Sequence, residues 1–144
     1  MRILIDADGC PVVDLTVREA RERNIPCVIL CDTAHEIERE GAETVVISKG
    51  ADSVDFAIVN MVQKGDVVVT QDYGLAAMCL ARSSFPINQN GLIYTDSNID
   101  SLLMSRHVSK KLRSSGGRLK GPPKRTEADD EAFLRSLRKV LDES

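Results

Sequence analysis

Short apolar runs and amphipathic stretches alternate along the first two thirds of the chain. Ile3-Leu4-Ile5 follows Arg2 and closes on Asp6, and residues 27–31 read Cys-Val-Ile-Leu-Cys. Residues 44–48 and 66–70 are two further runs, both rich in β-branched residues. Runs this short, apolar at successive positions, predict strands buried on both faces. Between them the period changes. From Pro11 to about Arg23, Val13, Val17 and Ala20 share one helical face. Pro11 suits the first position of that helix, and Asn24-Ile25-Pro26 ends it. Val54, Ile58, Met61 and Val62 repeat at helical spacing over Ser53 to Lys64, where Gly65 is the stop signal. Helices are also expected over residues 33–40, from Tyr73 to Arg82 and from Ser97 to Leu112. Pro86 to Gly91 reads as a loop, and Leu92-Ile93-Tyr94 as a fifth strand.

Strands alternating with helices predict an α/β fold of three layers, α/β/α, around a central and mostly parallel sheet. The expected body spans residues 1–112. Residues 113–126, rich in Gly, Ser, Pro and basic side chains, read as a linker. Thr126-Glu-Ala-Asp129 resembles a helix start. The helix over 127–144 carries Phe133 or Leu134, Leu137 and Leu141 on one stripe and is expected to dock back on the body.

A length of 144 residues fits a single domain. Tryptophan is absent and aromatics make up only 3%, which excludes extended base stacking as the main mode of binding. No apolar stretch approaches the ~20 residues of a membrane helix. The chain opens at Met1 on a core-like run with no signal-peptide pattern, so a cytoplasmic location and no membrane partner are expected. Cys10, Cys27, Cys31 and Cys79 form no C-x-x-C pair and no zinc-site spacing, and so are read as reduced thiols; Cys10 lies beside the candidate site. The net charge of −3 conceals an asymmetry. Residues 106–125 hold eight basic and no acidic residues, leaving 11 basic against 22 acidic elsewhere.

The chemistry lies in aspartates. Asp6 and Asp8 follow the first strand and Asp72 follows the fourth, which puts all three at the carboxyl edge of a parallel sheet. Asp52 and Asp55 begin the helix that runs back from that edge. Gathered carboxylates repel one another and raise one another's pKa values, and a hard divalent cation relieves that cost. The competing reading is structural: Asp52, Asp55 and Asp72 suit helix starts, and Asp8 suits a turn before Gly9. Lys49 is a candidate for a phosphate contact or an ion pair. Thr70 and Gln71, beside Asp72, are candidates for orienting water or phosphate, or for satisfying the backbone. Asp32 ends the second strand at the rim. Asp14 and Asp66 read as solvated. His35 and His107 show no local partner and read as surface or packing residues. No Gly-rich phosphate loop is present.

The phrases Asp6-Ala-Asp8-Gly-Cys-Pro11-Val, Gly50-Ala-Asp52-Ser-Val-Asp55 and Thr70-Gln-Asp72-Tyr-Gly-Leu-Ala76 resemble the YaiI/YqxD family of bacterial proteins, as does Gly121-Pro122 with a following Phe133. The resemblance covers essentially the whole chain. More distantly the family is similar to the PIN-like nuclease superfamily, whose members carry acids after strand one, on a central helix and after strand four, and cleave RNA with magnesium or manganese. That likeness implies Asp6 as the first acid, Asp55 or Asp52 as the second and Asp72 as the third, with Asp8 an addition.

Three function classes follow. The first is a metal-dependent nuclease on RNA. Asp6, Asp8, Asp52, Asp55 and Asp72 hold Mg2+ or Mn2+, and Asp6, Asp8, Asp55 and Asp72 carry catalysis. Lys49, Thr70, Lys110, Lys111, Arg118 and Lys120 meet the RNA, whose phosphates the basic segment suits; the competing role for that segment is pairing with the acidic body. The second is a phosphatase, because Ile3-Leu-Ile-Asp6-Ala-Asp8-Gly resembles the opening motif of haloacid-dehalogenase-type enzymes, with Asp6 as nucleophile. Those enzymes also need a separate Thr or Ser strand, and here Cys10 stands two residues after Asp8. The third is a non-catalytic module that binds RNA or protein.

Overall fold

The computed structural model describes residues 1–48, 53–114 and 124–143, and of 107–114 the backbone alone. Among the described residues the order is β1 (Ile3–Asp6), α1 (Val13–Glu22), β2 (Cys27–Asp32), β3 (Glu43–Ile47), α2 (Ser53–Met61), β4 (Val67–Val69), α3 (Tyr73–Ala81), β5 (Phe85–Ile87), α4 (Ile99–Ser114) and α5 (Glu127–Glu143). All neighbouring strands pair in parallel, in the order β3-β2-β1-β4-β5. The chain starts at the centre of the sheet, builds outward through β2 and β3, then crosses back to lay β4 on the other side of β1. The strand order therefore switches between β1 and β4, where open α/β sheets form a crevice at their carboxyl ends.

The side-chain alternation of a strand explains the layers. Ile3 and Ile5 of β1, with Ile29 of β2 and Val67 and Val69 of β4, face one side, where they meet Val13, Val17 and Ala20 of α1. Phe133, Leu137, Val140 and Leu141 of α5 complete that layer. Leu4, Val28, Leu30 and Val68 face the other side, against Ile58 of α2 and Leu75 and Cys79 of α3. Each buried Val, Leu, Ile or Phe among them contributes about 1.5–3 kcal/mol. Helix α4 packs on α3 instead of the sheet, with Ile99 beside Ala76 and Tyr94 and with Leu102 and Leu103 at the margin. The fold is thus α/β with three layers and a wholly parallel sheet. No described helix is long and apolar enough to cross a membrane.

Helix α5 is tied down by polar contacts as well. Ser136 Oγ donates to Gly91 O at 2.6 Å. Gly91 has φ +90°, and a Cβ there would lie 2.5 Å from Ala132 O, so the loop approaches α5 as only glycine permits. Glu19 of α1, almost fully buried, accepts from Arg23 Nε at 2.8 Å and from Arg138 Nε of α5 at 3.1 Å.

Several expectations are corrected. The fifth strand is Phe85–Ile87, not residues 92–94, and it carries Pro86, expected to open a loop. Pro86 is tolerated because β5 is an edge strand. Residues 92–94 fold back along it: Tyr94 N donates to Pro86 O at 3.0 Å, and Ile87 and Ile93 form an isolated antiparallel bridge. Residues 33–40 form no helix, because Asp32 caps a turn instead, accepting from Ala34 N at 2.9 Å. Asp66 is buried, not solvated; its carboxylate accepts from Arg2 N and Gln63 N, both at 2.9 Å, and pairs with the Arg2 guanidinium at 3.2 Å. Helix α1 begins at Val13, two residues after Pro11, and α4 runs on through Ser114, past the expected end at Leu112.

Candidate functional site

A cleft of about 470 Å3 opens at the carboxyl edge, over the switch between β1 and β4. Asp6, Asp8, Asp32, Asp55, Asp72, Gln71, Tyr73 and Arg106 are among its lining residues. Chain direction alone brings these acids together. Asp6 ends β1, Asp8 lies two residues on, Asp32 ends β2, Asp55 sits in the first turn of α2, and Asp72 stands between β4 and α3.

Asp6 is partly buried at the floor of the group. Burial raises its carboxyl pKa above the ordinary value, and the neighbouring charges of Asp72 and Asp8 push the same way, against a hydrogen bond from Thr70. Two acids from strands on either side of the switch point therefore share one field. Thr70, expected to meet substrate, is buried beneath the acids. Its hydroxyl donates to Asp6 Oδ2 at 2.8 Å and accepts from Asp72 N at 3.0 Å. Tyr94 Oη donates to Thr70 O at 3.1 Å. Gln71 Nε2 donates to Gly9 O at 2.9 Å, tying the loop after β4 to the loop after β1.

Asp72 has the structural role that the competing reading assigned to it. It is the N-cap of α3, with Oδ1 accepting from Leu75 N at 3.1 Å. The same oxygen lies 3.3 Å from Arg106 Nη1 on α4. Asp8 is exposed, and its Oδ1 is 3.8 Å from His35 Nδ1. His35 is 3.0 Å from Asp32 Oδ1. Burial acts to raise the Asp32 carboxyl, but hydrogen bonds from His35 and Ala34 N–H hold it below the ordinary value.

Arg106 as a member of the cleft, and His35 as a neighbour of its Asp8 and Asp32, were not legible in the sequence. For His35 a local signal exists, Asp32 three residues earlier. Arg106 is the first of the basic run, but only the packing of α4 on α3 carries it to the acids. Cys10 is a free thiol whose pKa burial pushes up, so it remains protonated near neutrality. Lys49 and Asp52 lie outside the described residues, as do Arg118 and Lys120. Lys110 and Lys111 fall on α4 where only the backbone is described.

The donor set suits a hard divalent ion, since every candidate ligand is a carboxylate. Burial is the main cause of the raised Asp6 pKa, and the smaller contributions of Asp72 and Asp8 are ones that a bound cation would relieve. As placed, however, no three His, Cys, Asp or Glu side chains among the described residues stand close enough together to hold an ion. Asp72 Oδ1 is engaged by the α3 cap and by Arg106.

A parallel α/β sheet with acids converging at its switch point defines the class of protein. The chain belongs to the YaiI/YqxD family, whose model, described as "Uncharacterized BCR, YaiI/YqxD family", matches residues 4–143. It is similar to a UPF0178 protein of Exiguobacterium sibiricum, 54% identical over 143 residues, or 99% of this chain and 98% of the relative. A UPF0178 protein of Clostridium acetobutylicum is 48% identical over 143 residues, or 98% of this chain and 97% of the relative. Among solved structures, the crystal structure of Rae1 (YacP) from Bacillus subtilis (W164L mutant) is similar with a TM-score of 0.49 and 12% identity, covering 100% of each chain.

Proposed function

We propose that the chain is a PIN-like, divalent-metal-dependent nuclease acting on RNA. The observation that carries this reading is the convergence of Asp6, Asp8, Asp55 and Asp72, from separate segments, on one cleft over the β1–β4 switch. That placement matches the acids of PIN domains after strand one, on the helix and after strand four. Asp6, Asp55 and Asp72 would hold the ion, with Asp52 from the segment before α2 and with Asp8 at the outer lip. Bound magnesium or manganese supplies charge stabilisation to a phosphoester and acidifies water. The chain's own residues do the rest. Thr70 fixes the Asp6 carboxylate and the backbone of Asp72 in one network. Asp8 and Asp32 hold His35 at the lip.

The phosphatase reading finds less support. It calls for a Thr or Ser on a separate strand, whereas β2 ends in Asp32 and the Thr70 hydroxyl is engaged by Asp6.

The deciding experiment is calorimetric titration of manganese into the wild type and into Asp6→Asn/Asp72→Asn, followed by RNA cleavage assays on both. Binding and cleavage in the wild type, both lost in the double variant, are expected. A wild type that binds no manganese would reduce these acids to caps and surface charges and leave the binding-module reading in place.

A further inference from the structure

Arg106 is the cation that the described residues place in the wall of an otherwise acidic cleft. Its Nη1 lies 3.3 Å from Asp72 Oδ1, the oxygen that also caps α3. The side chain is 59% exposed, and among the described residues this is its one ion pair. An exposed ion pair of this kind is weak and exchanges easily. A guanidinium and a divalent ion compete for one carboxylate oxygen. Arg106 also opens the basic run, and a guanidinium is suited to grip a phosphate with two parallel hydrogen bonds.

We propose that Arg106 exchanges partners, holding Asp72 in the metal-free protein and turning to a backbone phosphate of the nucleic acid when a divalent ion takes Asp72. This deepens the nuclease reading and rests on it. Paired with Asp72, the guanidinium partly neutralises that carboxylate. Release of Arg106 leaves a fixed positive charge at the cleft wall, one side chain from the acids, where the next phosphate of a bound strand would pass.

The signature is two effects of opposite sign in one variant. In Arg106→Gln, manganese binding measured by calorimetry should tighten roughly three- to ten-fold, because a cation near the site has been removed. The same variant should bind a fluorescein-labelled oligouridylate more weakly by anisotropy, in calcium in place of manganese, with a log–log salt slope shallower by about one. Arg106→Lys, which keeps the charge, should stay near the wild type in the manganese titration and fall between the two in oligonucleotide binding. Circular dichroism should show both variants folded, as expected for an exposed side chain. Manganese affinity equal or lower in Arg106→Gln, or an unchanged oligonucleotide affinity and slope, overturns the exchange. Equal manganese binding in both proteins would do so while leaving the nuclease reading intact. Absence of manganese binding in both would remove that reading and the exchange with it.

Discussion

Thr70 Oγ1 donates to Asp6 Oδ2 across the β1–β4 pair, at 2.8 Å, and the same oxygen accepts from the backbone of Asp72. One buried hydroxyl thus joins the first-strand acid to the fourth-strand acid. Thr70→Val keeps the shape and removes the oxygen, leaving Asp72 N–H without its partner. It is expected to destabilise the fold by about 1–3 kcal/mol. It should also raise the Asp6 pKa further, since the Thr70 hydrogen bond is what lowers it. Urea unfolding checks the first effect, and a carboxyl 13C NMR titration the second.

Ionised Asp6 is disfavoured in the folded chain, first by burial and then by Asp72 and Asp8. The folded state therefore binds this proton more tightly than the unfolded state does. The stabilisation from protonation is complete below the ordinary value of 3.8 and is lost as pH rises through the raised folded value. Asp6→Asn, which can still accept from Thr70, is expected to be more stable than the wild type at neutral pH. The advantage should shrink as pH falls from above the raised value toward 3.8. Denaturation midpoints across that range test it, and a constant difference between the proteins would contradict it.

Asp72 separates charge from capping. Asn caps a helix about as well as Asp, whereas Ala does not. Asp72→Asn should therefore keep the stability of α3 while abolishing manganese binding, and Asp72→Ala should cost about 1 kcal/mol in addition. Thermal melts of the two variants side by side distinguish the roles. Equal losses of stability would mean that the Leu75 N–H contact is not what matters at this position.

Glu19 makes the third ionic relationship with a clear consequence. Burial acts to raise its pKa, but the hydrogen bonds of Arg23 and Arg138 hold it below the ordinary value of 4.5. The stability this gives is present above 4.5 and is lost as pH falls through the folded value. Removing both partners in Arg23→Ala/Arg138→Ala strands a buried carboxylate between α1 and α5. A loss of roughly 3–5 kcal/mol is expected. Glu19→Gln in the same background should recover part of it in urea titrations.

The sheet centre was legible because strands covered on both faces must be apolar at successive positions, as in Ile3-Leu4-Ile5. The convergence of Asp6, Asp8, Asp55 and Asp72 was legible for a related reason: in a parallel sheet, chain direction alone decides which edge a residue reaches. Edge elements obey weaker rules. Phe85-Pro86-Ile87 offers no alternation and contains a residue that central strands reject, so β5 was hidden in an expected loop. Asp66 read as solvated because its partner, Arg2, is 64 positions away in the chain. Arg106 reaches the cleft through the packing of α4 on α3, which no local pattern records.

The last helix covers the sheet face that the first strand creates. Ile3 and Ile5 are synthesised long before Phe133 and Leu137, which complete their layer. A nascent chain can pair β1 with β2 and later with β4, and so bring Asp6 to Asp72, while that face is still only half covered by α1. During translation the molecule would expose a sticky apolar surface beside an already assembled acidic cleft until α5 docks and closes it.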